Sequence, residues 1–252
     1  SFPSSMVGRG SAALASSFAK WWQEGATECH GVGDEDKISV TFTPENIRIL
    51  RFGGDGKTTW QSAVRCAGRA PSLDGPSRCD AQSLTQAGKC HGPVDFGTQD
   101  KCQMWYVGQM LNSLEDVCHA KPRAKALFLG LGAGSIQSVL KQKCPQMDLL
   151  TVEKSPGVIS VAKDFFGFTG DVEEGDALAL LPKLVRSNKH FDAIVIDINK
   201  GLQRGDVALV RKLLQPKGVV LQNLYEEPRH HLAPADFEDT TFREFFTNVS
   251  QK

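Results

Sequence analysis

Apolar and polar positions alternate from Ile38 to Phe52 (ISVTFTPENIRILRF), in two β-branched runs separated by the turn-prone Thr43-Pro44-Glu45-Asn46. The pattern predicts a β-hairpin. GGDG at Gly53–Gly56 predicts a second turn, and Thr58–Val64 (TTWQSAV) continues a small antiparallel sheet. Residues 67–101 carry no periodicity and read as a long loop insertion. Gln103–Val117 then returns to helical spacing and predicts a helix linking to a second lobe. Beyond it the period switches regularly between strand and helix. Strands are predicted at Ala126–Leu129, Leu149–Glu153, Val172–Glu174, Ala193–Asp197 and Gly218–Asn223, and helices at Ile136–Lys143, Pro156 to about Phe165, Ala177–Arg186 and Asp206–Leu214. Strands alternating with helices of this length define an α/β fold, a mostly parallel sheet with helices on both faces. The tail offers one more helix, about Asp236–Phe246, which leaves the sheet at five strands with an edge that another subunit could cover. The expected division is an N-terminal segment (1–35), a small β lobe with the insertion and linking helix (36–120), and a Rossmann-like nucleotide-binding domain (121–252).

Charge narrows the partners. Lys plus Arg and Asp plus Glu both total 29, so no broad attraction to nucleic acid or acidic lipid is expected. No run approaches the roughly 18 apolar residues of a membrane-spanning helix, and the chain reads as soluble. The first segment, SFPSSMVGRGSAALASSFAKWW, is rich in Ser and small residues and has no acid before Glu24. It reads equally as a trimmed targeting region or an arbitrary boundary, and Ala12–Gln23 could form a helix presenting Phe18, Trp21 and Trp22 to a protein partner or to its own domain.

Six of the seven cysteines precede the nucleotide-binding half, and Cys144 stands apart. Cys66, Cys79 and Cys90 lie in a Gly/Pro/Ser-rich stretch where disulfides would help a poorly cored segment. Disulfides and free thiols remain equal alternatives: the first implies an organelle or other oxidising compartment, the second the cytoplasm. Cys29-His30, Cys90-His91 and Cys118-His119 lack an accompanying C-x2-C pair, so no metal site is expected.

The chemistry concentrates at strand ends. GLGAGS, Gly130–Ser135, sits between an apolar strand and a helix, where glycines allow a tight turn and close approach of a ligand to the helix amino end. Glu153 closes the next strand, about 20 residues on, where a carboxylate can bind both hydroxyls of a ribose. Asp176, in EGDAL, follows the third strand and can meet an adenine amino group or cap the helix from Ala177. Asp197, in VIDIN, ends the fourth strand at the carboxyl edge where open α/β folds bind ligands. Together these positions favour a small-molecule nucleoside.

IRILRFGGDGKTTWQSAV, LFLGLGAGSIQSVL, TVEKSPGVISVAKDFFG, EGDALALL, FDAIVIDI and LLQPKGVVLQNL occur in an order that resembles the spermidine synthase-like branch of the S-adenosylmethionine-dependent methyltransferase superfamily, over roughly Ile38–Glu226. The resemblance implies S-adenosylmethionine as cofactor. Gly130, Gly132 and Gly134 would line its methionine and ribose portion, Glu153 would bind ribose, Asp176 with Ala177 would contact adenine, Asp197 would stand at the strand edge, and Gln61 would reach over the nucleoside from the small lobe.

The departures point away from polyamine chemistry. Where the family writes D-x-x-D, this chain has Asp197-Ile198-Asn199-Lys200, and a lysine cannot act as the second carboxylate and repels a cationic amine. Ala133 and Ser135 occupy a loop that often carries Asp, and Tyr106 is followed by Val107, Gly108 and Gln109 rather than a His-Glu pair. The tail is short of the family's edge hairpin, and the adjacent His230 and His231 read as solvent-facing rather than catalytic. No catalytic residue is assigned. A methyltransferase of unknown, small or non-basic acceptor ranks first, a non-catalytic structural or assembly subunit second, and a polyamine aminopropyltransferase last.

Overall fold

The computed structural model describes residues 27–30, 38–43, 46–53, 59–67, 90–93, 105–198, 202–224 and 241–246. The small sheet is antiparallel, in the order β1 (Thr27–His30), β2 (Ser39–Phe42), β3 (Ile47–Phe52), β4 (Thr59–Cys66) and β5 (Cys90–Pro93). The expected hairpin and third strand are present. Two strands were not legible: β1 falls in the stretch assigned to the N-terminal segment, and β5 falls inside the aperiodic insertion. CHGP has no alternation to read; it joins by backbone pairing at an edge and ends in Pro93, which can donate nothing further. Cys66, at the end of β4, is disulfide-bonded.

Helix α1 (Trp105–Ala120) leads into a second sheet, which alternates β6 (Lys125–Leu129), α2 (Ser135–Lys143), β7 (Asp148–Glu153), α3 (Pro156–Phe166), β8 (Val172–Glu174), α4 (Ala177–Arg186), β9 (Phe191–Ile196), α5 (Arg204–Leu213), β10 (Leu214–Leu224) and β11 (Thr241–Phe246). Every pairing is parallel, in the order β11-β10-β9-β6-β7-β8. The five strands expected from the sequence are all present, and β11 adds a sixth.

That sixth strand corrects the tail: Thr241–Phe246 pairs with β10 from Val219↔Thr241 to Leu224↔Phe246 instead of forming a helix. TFREFF places Phe242, Phe245 and Phe246 at helical spacing, yet its residues are mostly β-branched or aromatic, and the open edge of β10 decides between the two. The edge proposed for a second subunit is therefore occupied by the chain itself.

The parallel sheet is buried on both faces, as its unbroken apolar strands require. Ala126, Phe128, Ala193 and Val195 face the cluster built on α1 and α2, while the alternate Leu127, Leu129, Ile194 and Ile196 face the cluster of α4 and α5. A third cluster packs Val40, Phe42, Leu50 and Val64 of the small sheet against Val161, Ala162, Phe165 and Phe166 of α3. Within it, fully buried Arg48 donates to the carbonyl of Phe165 and lies 5.7 Å from the centroid of the Phe42 ring. Burial lowers its pKa to about 10. In the first cluster Cys118, near the end of α1, forms a disulfide with Cys144, the C-cap of α2. Cys144 only seemed isolated, because its partner is brought to it by two helices. Among the described residues no helix is long and apolar enough to cross a membrane, and no cluster of three or more candidate metal-binding side chains occurs.

Candidate functional site

A cleft of about 460 Å³ opens at the carboxyl ends of β6, β7 and β9, roofed by Ile38, Phe52 and Gln61 of the small lobe. Its lining includes Gly130, Gly132, Glu153, Asp176, Ala177 and Asp197, so seven of the eight sequence-predicted residues, Gln61 among them, share one cavity. Parallel strands deliver their ends to one edge, and that shared edge is what gathers residues distant in sequence.

Gly134 is the eighth. It is the N-cap of α2 in left-handed conformation (φ 68°), and a Cβ there would lie 2.5 Å from the Phe168 ring. Its place is a packing contact outside the cleft lining. Gly130 (φ 105°) has a different constraint: an added Cβ would fall 2.2 Å from the Asp197 carbonyl oxygen, a backbone atom. Only glycine permits β6 to turn this close to the end of β9.

Glu153 joins the loops that follow β6 and β7. Its Oε2 accepts from the Leu131 N–H at 3.0 Å and its Oε1 from the Ser155 N–H at 2.9 Å. Burial raises its carboxyl above the ordinary range; hydrogen bonds from the backbone of Ser155, Leu131 and Lys154 oppose the rise, and the Asp197 charge adds to it. Asp176 is exposed and caps α4, its Oδ1 accepting from the N–H groups of Leu178 (2.9 Å) and Ala179 (3.1 Å). Asp197 is half-buried; Asn223 Nδ2 donates to its Oδ1 at 2.8 Å and the Tyr106 hydroxyl to its Oδ2 at 3.3 Å.

The loop's own donors are largely committed. Gly130 N–H donates to the Val152 carbonyl, Leu131 to Glu153, Ala133 to Ser62 Oγ at 3.2 Å, and Gly134 to the Leu131 carbonyl. Four of the five N–H groups from Gly130 to Gly134 thus point into the protein.

Sequence reasoning missed Ser62 and Asn223 and noted Tyr106 only as the start of a departed motif. Tyr106 was findable as a polar tip in an apolar helix, and Asn223 as an amide closing an apolar strand. Nothing along the chain marks Ser62 except its neighbour Gln61. Asn199 and Lys200 lie outside the described residues, as do Ala12–Gln23, Cys79, Cys102, His230 and His231.

Fold and site define a Rossmann-like α/β protein with an antiparallel amino-terminal sheet. No family model matches the chain. It is 30% identical over 115 residues, 39% of its length and 17% of the relative's, to an eEF1A lysine and N-terminal methyltransferase homolog of Drosophila pseudoobscura pseudoobscura. It is 26% identical over 133 residues, 48% and 43% of the respective lengths, to a polyamine aminopropyltransferase of Vibrio vulnificus (strain CMCP6). The chain spans less than half the length of these curated relatives. Among solved structures, human methyltransferase-like protein 13 in complex with SAH is 22% identical with a TM-score of 0.40, covering 45% of this chain and 60% of that one. A probable spermidine synthase from Corynebacterium glutamicum is 14% identical with a TM-score of 0.49, covering 77% and 61%. The resemblance to the spermidine synthase-like branch holds in relatives of both kinds, methyltransferase homologues and an aminopropyltransferase.

Proposed function

We propose that the cleft binds S-adenosylmethionine and that the protein transfers its methyl group to an acceptor entering beside Asp197. The observation that carries this reading is the electrostatic character of the cleft. Three carboxylates line it, Glu153, Asp176 and Asp197, against one lysine, Lys154, among the described lining residues. The glycine loop beneath has turned four of its five N–H donors inward. Such a site lacks the exposed amide cradle that phosphates require and repels their charge. It suits a cationic nucleoside whose ribose hydroxyls and adenine amino group are donors.

When bound, S-adenosylmethionine supplies an electrophilic methyl group on a positively charged sulfur. In this reading Glu153 would accept from the ribose hydroxyls, Asp176 and Ala177 would border the adenine, and Gln61, Ile38 and Phe52 would exclude water from above. Asp197, held by Tyr106 and Asn223, presents a carboxylate where an acceptor would approach. Alignment of this kind supplies most of what methyl transfer needs. The Cys118–Cys144 bridge supports maturation in an oxidising compartment.

One observation favours the second reading, a non-catalytic subunit that reuses the fold: each of the three carboxylates already has a structural task, bridging loops, capping α4 or bonding to α1 and β10. Thermal stability measured against S-adenosylmethionine, its decarboxylated form and methylthioadenosine separates the readings. A ligand at 100-fold its dissociation constant stabilises by about 2.7 kcal/mol. S-adenosylmethionine is expected to stabilise most, and Glu153→Ala to abolish the effect. No shift with any of the three refutes the nucleoside site, and preference for the decarboxylated form returns aminopropyl transfer to first place.

A further inference from the structure

The glycine loop is held from three sides by three different elements. Gly130 abuts the end of β9, Gly134 abuts Phe168 beyond α3, and Gly132 abuts β4 of the small sheet through Ser62. The third contact crosses between sheets. Buried Ser62 accepts the Ala133 N–H at 3.2 Å, and its Oγ lies 2.9 Å from the position a Cβ on Gly132 would take, the one atom within 4 Å of that point among the described residues beyond Gly132 and its chain neighbours. Gly132 itself is left-handed (φ 55°) and lines the cleft. Ser62 thus touches the loop at Gly132, which lines the cleft, and at the next residue, Ala133. Its chain neighbour Gln61 lines the same cleft, so one strand both roofs the site and sets its floor.

We propose that Ser62 is a positioning residue for the nucleoside: from the small sheet it holds Gly132 and Ala133 in the conformation that receives the ligand. The proposal rests on the nucleoside reading above for the identity of that ligand. It makes the amino-terminal sheet a working part of the cofactor site, with affinity dependent on how the two sheets pack.

The test is a double-mutant cycle on the dissociation constant of S-adenosylhomocysteine, measured by calorimetry on the full chain, with the unliganded melting temperature recorded for each variant. Ser62→Ala is expected to weaken binding about fivefold to tenfold, the worth of one buried hydrogen bond. Ser62→Thr, which keeps the acceptor oxygen, stays within about twofold of the original. Gly132→Ala carries its left-handed strain in either background but meets the hydroxyl only when Ser62 is present. Its effect is therefore at least about threefold larger with Ser62 than with Ala at position 62. If Ser62→Ala does not fold, Ser62→Cys takes its place, keeping the volume with a weak acceptor and the same expected loss. A Ser62→Ala protein that binds as the original does, or effects at 62 and 132 that simply multiply, overturns the proposal alone. An unmodified chain that binds neither S-adenosylhomocysteine nor S-adenosylmethionine overturns the nucleoside reading and this proposal with it.

Discussion

Replacing both Cys118 and Cys144 by Ala should cost the protein more stability than any exposed substitution, and the size of the loss follows from chain topology. The bridge closes a loop with a sequence separation of 26. In the chain-entropy account, cross-linking a loop of that length stabilises the folded state by about 3.5 kcal/mol at 25 °C. Both cysteines are buried, at 7% and 2% exposure, so the lost sulfur contacts add to the deficit rather than offset it. For a chain of this size the corresponding fall in melting temperature is about 7 to 14 °C. Cys66 is also disulfide-bonded, so a general reductant would break more than this bridge; the double variant isolates it. Urea denaturation under non-reducing conditions reads out the effect, and the slope of free energy against denaturant should rise, because the unbridged unfolded chain is more expanded. A loss below about 1 kcal/mol with an unchanged slope would refute the argument, since the loop constraint would then be absent from the unfolded ensemble.

Two further outcomes test the site. Gly130→Ala adds a Cβ 2.2 Å from the Asp197 carbonyl oxygen at φ 105°, and should cost about 3 to 5 kcal/mol, whereas Gly167→Ala, with nothing within 4 Å, should lose only about 1 to 2 kcal/mol from its left-handed backbone. Equal losses in urea melts would remove the case for close approach of β6 and β9. Because burial raises the Glu153 carboxyl above its ordinary value of 4.5, the folded state holds that proton more tightly than the unfolded state. Its contribution to stability is therefore greatest at low pH and declines as pH rises from 4.5 through the raised folded value, and Glu153→Gln should flatten that part of the profile in calorimetric melts. A Gln variant with the same slope there would place the titrating group elsewhere.

The second sheet was legible because its strands are buried on both faces and its helices on one, so periodicity alone marks them. The candidate site was legible for the same reason: strand ends are readable, and Glu153, Asp176 and Asp197 stand at three of them. What escaped depends on partners rather than period. β5 is four residues recruited by a neighbouring edge, and β11 has apolar spacing compatible with either structure until β10 offers its backbone. The Cys118–Cys144 bridge requires the packing of α1 on α2, and Ser62 reaches the glycine loop only because one sheet lies against the other. Sequence spacing encodes neither.

The geometry around Asp197 changes the weight of the strongest objection to catalysis. In the sequence, the replacement of the second acid of D-x-x-D by Lys200 counts against polyamine chemistry. Asp197, however, draws one hydrogen bond from α1 and one from β10, a phenol on one oxygen and an amide on the other. Its orientation is set by those two elements and needs no second carboxylate. Both oxygens of the first acid are thereby held at the edge of the cleft, one by a phenol and one by an amide. The loss of the second acid then bears on what an acceptor meets beyond Asp197. By charge alone, a lysine in place of the second acid disfavours a polycationic amine and not an acceptor without such charge. On the proposed reading, methyl transfer to an acceptor asks for alignment with the sulfonium and little else, and the anchored Asp197 would offer a fixed point for that alignment.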